Sequence, residues 1–308
     1  MVNYGNYFMN SMYKWGVFIK ERFNPVVYGV MIIAFFGAHL TVYNRYFPQS
    51  QILRFASFPR LLPLFIAVVL FFLKMRMFDE VKDSETDKTL YPERPIPRGL
   101  LSASSVRRAA FILAGVEIVL VSLYGVWAFI SITVAVAYTL LMYKEFFLST
   151  WIRAHLTTYA VSHTVVVVLL SLTLFIALSG SPVSFLPEQI LYFSFSHWCI
   201  FNIFEFGRKT FAPQEEKIER DSYSKKFGKV GAVTLVVATA GIAMLCMKGI
   251  TSVVVWNILT LWFCLLTSTG MLFIGTKSPS TAKVFRLVSS LYIILTYATI
   301  LLLPIQFV

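Results

Sequence analysis

A chain of 308 residues that is 57% hydrophobic and only 14% charged lacks the composition of a soluble protein, in which about a quarter of residues are charged. Its net charge of +12 would suit nucleic acid, but the basic residues lie between apolar segments, where they meet lipid headgroups or an anionic substrate. Apolar segments recur along the whole chain, and no polar stretch is long enough for its own core. We therefore expect a single membrane-embedded domain over residues 1–308.

Residues 1–25 combine many aromatic residues with Lys14, Lys20 and Arg22, which indicates an amphipathic helix lying on the membrane. Nine spans are predicted after it, at residues 26–46, 61–78, 106–126, 127–143, 156–178, 186–204, 230–247, 253–274 and 284–303. The break between the third and fourth spans is uncertain, because only residues 122–125 could form a turn there and a kink in one helix is the alternative. The expected fold class is all-α, a polytopic bundle of nine transmembrane helices.

Lysine and arginine are distributed unevenly between the two sides of this predicted bundle. One side collects 23 of the 27, with Lys74 counted in the second loop, and the opposite side collects 4. By the positive-inside rule, the N-terminus and the two long loops are cytoplasmic. We expect an integral protein of a bacterial inner membrane or an equivalent membrane.

The second loop carries six acids between residues 79 and 93. Asp79, Asp83 and Asp87 are four residues apart, so on a helix they share one face and repel each other. Oxygen ligands of this kind suit Mg²⁺. Asp79 and Glu80 also follow an apolar span within about one turn, and acids at such a depth are costly unless something binds them. A solvated charged loop is the alternative interpretation.

A second cluster of acids falls in the sixth loop, at Glu205, Glu215, Glu216, Glu219 and Asp221. Glu205 could simply pair with Arg208 or Lys209 one turn away. Together the second and sixth loops hold 11 of the 15 acids and 15 of the 27 bases. Two carboxylate clusters next to bases on one side of a membrane suit a diphosphate held by Mg²⁺, because Arg and Lys meet the phosphate oxygens.

The order Asp79-Glu80-x-x-Asp83-x-x-x-Asp87, then Arg94-Pro95-x-Pro97-x-Gly99, resembles the first motif of the UbiA superfamily of intramembrane prenyltransferases. In that family Asn-Asp-x-x-Asp-x-x-x-Asp precedes Arg-Pro-x-Pro-x-Gly after the second of nine helices. Asp79 replaces the usual Asn and Glu80 the usual first Asp, which indicates a divergent branch. The family's second acidic motif lies between helices six and seven, where the second cluster falls, although its spacing differs.

The resemblance implies a Mg²⁺-dependent enzyme with an active site capped by the two loops. An isoprenyl diphosphate would be ionised, and its prenyl group transferred to an aromatic or other lipophilic acceptor, with membrane lipids around it and no obligatory protein partner. The metal would be held among Asp79, Glu80, Asp83, Asp87, Glu205, Glu215, Glu216 and Asp221. The diphosphate would meet Lys82, Arg94, Arg208, Lys209, Tyr223 and Lys225. The residues expected to be catalytic are Asp83, Asp87, Glu205 and Glu117.

Two other functions stay open. A terpene cyclase of the same superfamily would share the ionisation step, and a transporter or non-catalytic membrane protein would explain Glu117, an acid without a local partner inside a predicted span. Among the histidines, His163 and His197 could orient an acceptor or act as a base, although packed, hydrogen-bonded rings are the commoner case. His39 and His155 are predicted near interfaces and receive no role, and Glu145 is read as half of an interfacial pair with Lys144.

Overall fold

The computed structural model describes residues 4–50, 58–217 and 221–303. Glu219 of the second cluster lies outside the described residues. Helices occupy most of the described chain: α1 Tyr4–Arg22, α2 Pro25–Tyr46, α3 Phe58–Lys82, α4 Ser84–Leu90, α5 Ala103–Ser122, α6 Val126–Tyr143, α7 Ser149–Ala154, α8 Leu156–Thr164, α9 Val166–Ser179, α10 Glu188–Arg208, α11 Tyr223–Met247, α12 Val253–Thr276 and α13 Pro279–Leu302.

Seven helical segments of the described chain are long and apolar enough to cross a membrane: α2, α3, α6, α8 with α9, α11, α12 and α13. α5 and α10 stand at the other two predicted positions, but both carry ionisable residues and neither is among the seven. The polytopic helical fold is therefore confirmed. By length and apolarity alone, seven segments of the described chain qualify as spans, so the predicted count of nine is not confirmed.

Local sequence explains where several helices begin and end. The Asn24 side chain accepts hydrogen bonds from the backbone N–H of Val26 and Val27, and Pro25 stands in the first turn of α2. Gly125 has φ +108°, a conformation that favours glycine, and it separates α5 from α6. The uncertain division at residues 122–125 is thus a turn between two helices.

α1 packs against the ends of other helices in the bundle. Phe18 is fully buried in a cluster with Met77, Phe78 and Val106, at the ends of α3 and α5. Two ion pairs continue this contact, from Arg22 to Glu80 and from Glu21 to Arg98. The amphipathic N-terminal segment therefore packs on the bundle.

Two buried polar groups differ from their predicted surroundings. Lys74 is a helix residue and not part of a loop: its Nζ lies 2.6 Å from Oε2 of Glu117, and both side chains are fully buried. The catalytic role expected of Glu117 lacks geometric support, because Lys74 of α3, 43 residues away, holds its carboxylate between α3 and α5.

His39, which is predicted near an interface and without a role, belongs to a polar network inside the bundle. Its ring is fully buried, 2.8 Å from Ser171 Oγ and 3.0 Å from Nε2 of His197, which in turn lies 3.1 Å from the Tyr297 hydroxyl. His197 is the packed, hydrogen-bonded ring that the sequence favours. This network joins α2, α9, α10 and α13 through the core.

Candidate active site

Both acidic loops open onto one cavity of about 650 Å³. The first cluster and its tail contribute Asp79, Glu80, Lys82, Asp83, Asp87 and Arg94, and the second contributes Glu205, Arg208, Lys209 and Asp221. Deeper walls are apolar and aromatic, formed by Phe71, Phe72, Met75, Val166, Val167 and Phe201. The cavity therefore has a charged mouth and an apolar interior, a shape that suits a ligand with an ionic head and a hydrocarbon tail.

The three aspartates of the first cluster follow the spacing that the sequence predicts. The backbone N–H of Asp83 donates to the carbonyl of Asp79 at 2.9 Å, and that of Asp87 donates to the carbonyl of Asp83 at 2.9 Å. These are the i to i−4 hydrogen bonds of an α-helix, carried across the boundary between α3 and α4. Asp79, Asp83 and Asp87 consequently lie one turn apart along the cavity wall.

Asp79 and Asp83 are the least neutralised acids of this wall. The Asp79 side chain is 45% exposed, and its partner is Lys82 at 3.5 Å, beyond a strong charge-assisted bond. Asp83 stands solvent-accessible at the cavity mouth, yet partial desolvation raises its pKa, and the charges of Asp79 and Asp87 raise it further against the opposing effect of Lys82. Two weakly paired carboxylates one helical turn apart favour the binding of a cation between them.

Glu80 and Asp87 are already paired with arginines. Oε1 of Glu80 lies 2.6 Å from Arg22 and 2.5 Å from Arg76, and both carboxylate oxygens of Asp87 lie 2.6 Å from Nη1 of Arg94. Their side chains are 2% and 5% exposed. The sequence predicts that these two acids are metal ligands. In the structure both are instead ion-pair partners of arginines.

The second cluster divides into members that reach the cavity and members that do not. Glu205 lines it and pairs with Arg208 at 2.5 Å and Lys209 at 2.7 Å, and Asp221 lines it as well. Glu215 instead pairs with Arg286 of α13 at 2.6 Å, and Glu216 accepts hydrogen bonds from the hydroxyls of Ser222 and Ser224. These contacts hold the loop together away from the cavity, so the predicted ligand roles of Glu215 and Glu216 lack geometric support.

Two predicted diphosphate contacts, Tyr223 and Lys225, also lie outside the cavity lining. Tyr223 is fully buried and packs its ring against Phe206, with ring centroids 4.9 Å apart. Its position in the core follows from the α11 N-terminus, where Ser222 caps the helix through the N–H of Lys225.

The connection between α6 and α8 adds Glu145 and Arg153, which the sequence analysis did not assign to the site. Nε of Arg153 lies 2.9 and 2.8 Å from the two carboxylate oxygens of Glu145, and both residues line the cavity. Glu145, Phe146 and Phe147 have φ of +49°, +53° and +58°, which L-residues adopt at a cost of about 1–3 kcal/mol each. The available signal was a single acid in the connection between α6 and α8, and its partner is Arg153 and not the adjacent Lys144.

α8 presents one face to the cavity. Leu156, Tyr159, Ala160, His163 and Thr164 line it, which is the spacing of one helical face. Nζ of Lys82 lies 2.5 Å from the Tyr159 hydroxyl and contacts the face of the same ring. α8 thus connects the charged mouth to the apolar interior.

The carboxylates of the cavity suit Mg²⁺ only if the substrate supplies further ligands. In the described ranges, no group of three or more His, Cys, Asp or Glu side chains is arranged to hold a metal ion. Mg²⁺ is, however, commonly bound by one or two carboxylates together with substrate phosphates. Asp79 and Asp83 match that requirement, so the site suits a metal that arrives with a diphosphate.

Neither a protein-family model nor a curated protein matches the sequence. A solved structure of a digeranylgeranylglyceryl phosphate synthase, described in membranes, does match, with a TM-score of 0.64 and 14% identity. The match covers 94% of this chain and 98% of that chain. The chain has the fold of that synthase. At this identity the likeness concerns the fold, and the argument about activity rests on the cavity.

Proposed function

We propose that the protein is a Mg²⁺-dependent intramembrane prenyltransferase of the UbiA type, which ionises an isoprenyl diphosphate and transfers its prenyl group to an aromatic or other lipophilic acceptor. The observation that carries the proposal is the cavity where Asp79 and Asp83 stand beside six bases at a charged mouth above an apolar interior. The bases are Arg76, Lys82, Arg94, Arg153, Arg208 and Lys209. The fold shared with a prenyl-transferring synthase agrees with it.

Asp79 and Asp83 would hold Mg²⁺, and Glu205 and Asp221 line the same cavity. When bound, the metal would neutralise charge on the diphosphate and assist its departure. Lys82, Arg94 and Arg208 line the same cavity and would donate hydrogen bonds to the diphosphate, where negative charge grows as the carbon–oxygen bond breaks. Groups fixed in place by carboxylate partners need little reorganisation at that moment.

The apolar interior would hold the isoprenyl tail and exclude water from the allylic cation. Phe72 and Phe201 stack with ring centroids 6.0 Å apart and both line the cavity. Aromatic faces attract a cation and do not react with it as water would. The expected product is therefore the coupled compound, with pyrophosphate released at the mouth.

We also propose that α5 and α10 cross the membrane and that the cavity mouth faces the cytoplasm. The main support is the uneven distribution of basic residues, which stays large when the buried Lys74 is left out. The transporter alternative loses its best argument, because Glu117 is neutralised by Lys74 and does not line the cavity.

The experiment is a product analysis with purified protein in lipid nanodiscs, Mg²⁺, and geranyl, farnesyl or geranylgeranyl diphosphate in turn. Pyrophosphate and organic products are measured first without an acceptor and then with a phenol or a membrane-lipid extract. Coupled product that requires the acceptor supports the transferase. A cyclic hydrocarbon or a cyclic alcohol formed without acceptor would show that the protein is a terpene cyclase and not a transferase. If no pyrophosphate is released under any condition, both functions are rejected.

A further inference from the structure

His163 lies where the bent span formed by α8 and α9 breaks, two residues before Val165. Its ring lines the main cavity and also a side chamber of about 10 Å³ that it shares with Asp79 and Lys82. A chamber of that volume holds about one water molecule. The ring therefore stands at the boundary between the charged mouth and the apolar interior.

Contacts on three sides fix the orientation of this ring. It stacks on Tyr159 with centroids 4.0 Å apart and planes inclined by 18°, and the edge of Phe146 meets it at 5.7 Å. Nδ1 lies 2.7 Å from the backbone carbonyl oxygen of Tyr159. Because a carbonyl oxygen can only accept, Nδ1 carries the proton in the neutral ring and Nε2 carries the lone pair.

Nε2 of His163 is buried and has no hydrogen-bond partner among the described groups. A buried acceptor left unsatisfied costs about 1–3 kcal/mol, so its presence calls for an explanation. Three other charged groups lie nearby: Lys82 donates to Tyr159, Glu145 accepts from Arg153, and Asp79 is the residue proposed to hold Mg²⁺. A neutral nitrogen of a residue that lines the cavity is thus available to take up a proton.

Resting on the proposed function, we infer that Nε2 of His163 is the base that accepts the proton lost when the prenyl group is transferred. In that reaction the carbon–oxygen bond to the diphosphate breaks, the acceptor atom bonds to the allylic carbon, and its hydrogen leaves as a proton. The electron pair of the broken bond departs with pyrophosphate. The proton goes to Nε2, which makes the ring an imidazolium that later releases it to water at the mouth.

The test replaces His163 by glutamine, which cannot accept a proton, and separates coupling from ionisation. We expect coupled product to fall by about 100-fold or more, with the donor KM little changed and pyrophosphate release continuing through formation of the prenyl alcohol. His155→Gln is the matched control. His155 makes the same contact from Nδ1 to a carbonyl four residues earlier, at Trp151, but it is exposed and does not line the cavity.

A second variant, His163→Ala, is assayed with and without added imidazole, and thermal unfolding is followed for all variants. Recovery of coupled product by imidazole supports a base at this position. Full coupling by His163→Gln would overturn the inference, and so would a loss of donor binding and thermal stability that imidazole does not reverse, since that is a packing role. Absence of pyrophosphate release by the wild type would instead reject the proposed function itself.

Discussion

Nη1 of Arg94 lies 2.6 Å from both carboxylate oxygens of Asp87, which joins the acidic segment to the Arg-Pro-x-Pro tail across seven residues. The guanidinium also lies over the ring of Tyr91, 3.9 Å from its centroid. The spacing of the acids predicts that Asp87 is a metal ligand. In the structure Asp87 is instead the ion-pair partner of Arg94, which lines the cavity.

Asp87→Asn is therefore expected to weaken donor binding more than it weakens metal binding. The neutral amide leaves Arg94 without its anchor, and we expect the donor KM to rise about tenfold, equivalent to about 1.4 kcal/mol. Steady-state kinetics on Asp87→Asn, Arg94→Gln and the double variant provide the measurement. The double variant should resemble either single variant, and simply additive losses would show that the two residues act separately.

The pair between Lys74 and Glu117 makes a prediction about stability. Glu117→Gln leaves a buried ammonium without its counter-charge and is expected to lower the free energy of unfolding by about 3–5 kcal/mol. Turnover per folded molecule should not change, because the pair does not line the cavity. Denaturant unfolding in detergent is the measurement.

The double variant Lys74→Met with Glu117→Leu is the control for this pair. Removing both charges should restore most of the stability that Glu117→Gln removes, since apolar side chains of similar volume can replace a buried ion pair. A Glu117→Gln variant that is stable but inactive would contradict this prediction and show that Glu117 takes part in catalysis.

Phe18 tests whether α1 is part of the bundle. Phe18→Ala is expected to cost about 3–5 kcal/mol, because the ring is fully buried against Met77, Phe78 and Val106. Tyr13→Ala in the same helix is the matched control, since Tyr13 is 69% exposed. Equal stability of the two variants, measured by thermal unfolding in nanodiscs, would contradict the packing of α1.

Local sequence patterns predicted much of the fold. Apolar segments of span length predicted the positions of the long helices, because the bilayer sets the length of both; the largest difference is at α11, which begins at Tyr223, seven residues before the predicted start. The four-residue spacing of Asp79, Asp83 and Asp87 likewise predicted one helical face.

Local sequence patterns could not predict the ion-pair partner of each acid, because the partner depends on which helices pack together. Arg22 reaches Glu80 across 58 positions and Arg286 reaches Glu215 across 71, and no local pattern marks either pair. The left-handed turn at residues 145–147 was hidden for the same reason, since none of its residues is glycine and tertiary contacts hold it. The sequence could therefore place the acids near the site but could not show which of them are neutralised.

The most direct test of the account is Mg²⁺-dependent pyrophosphate release by wild-type protein and by Asp83→Asn, with geranyl, farnesyl and geranylgeranyl diphosphate. Glu85→Gln is the control, because Glu85 lies in the same segment but is 81% exposed and pairs with Lys88 outside the cavity. We expect release by the wild type and Glu85→Gln, its loss on chelation of Mg²⁺, and at least about a 100-fold decrease in folded Asp83→Asn. Release by Asp83→Asn at the wild-type rate, or none by the wild type with any donor, would contradict the account.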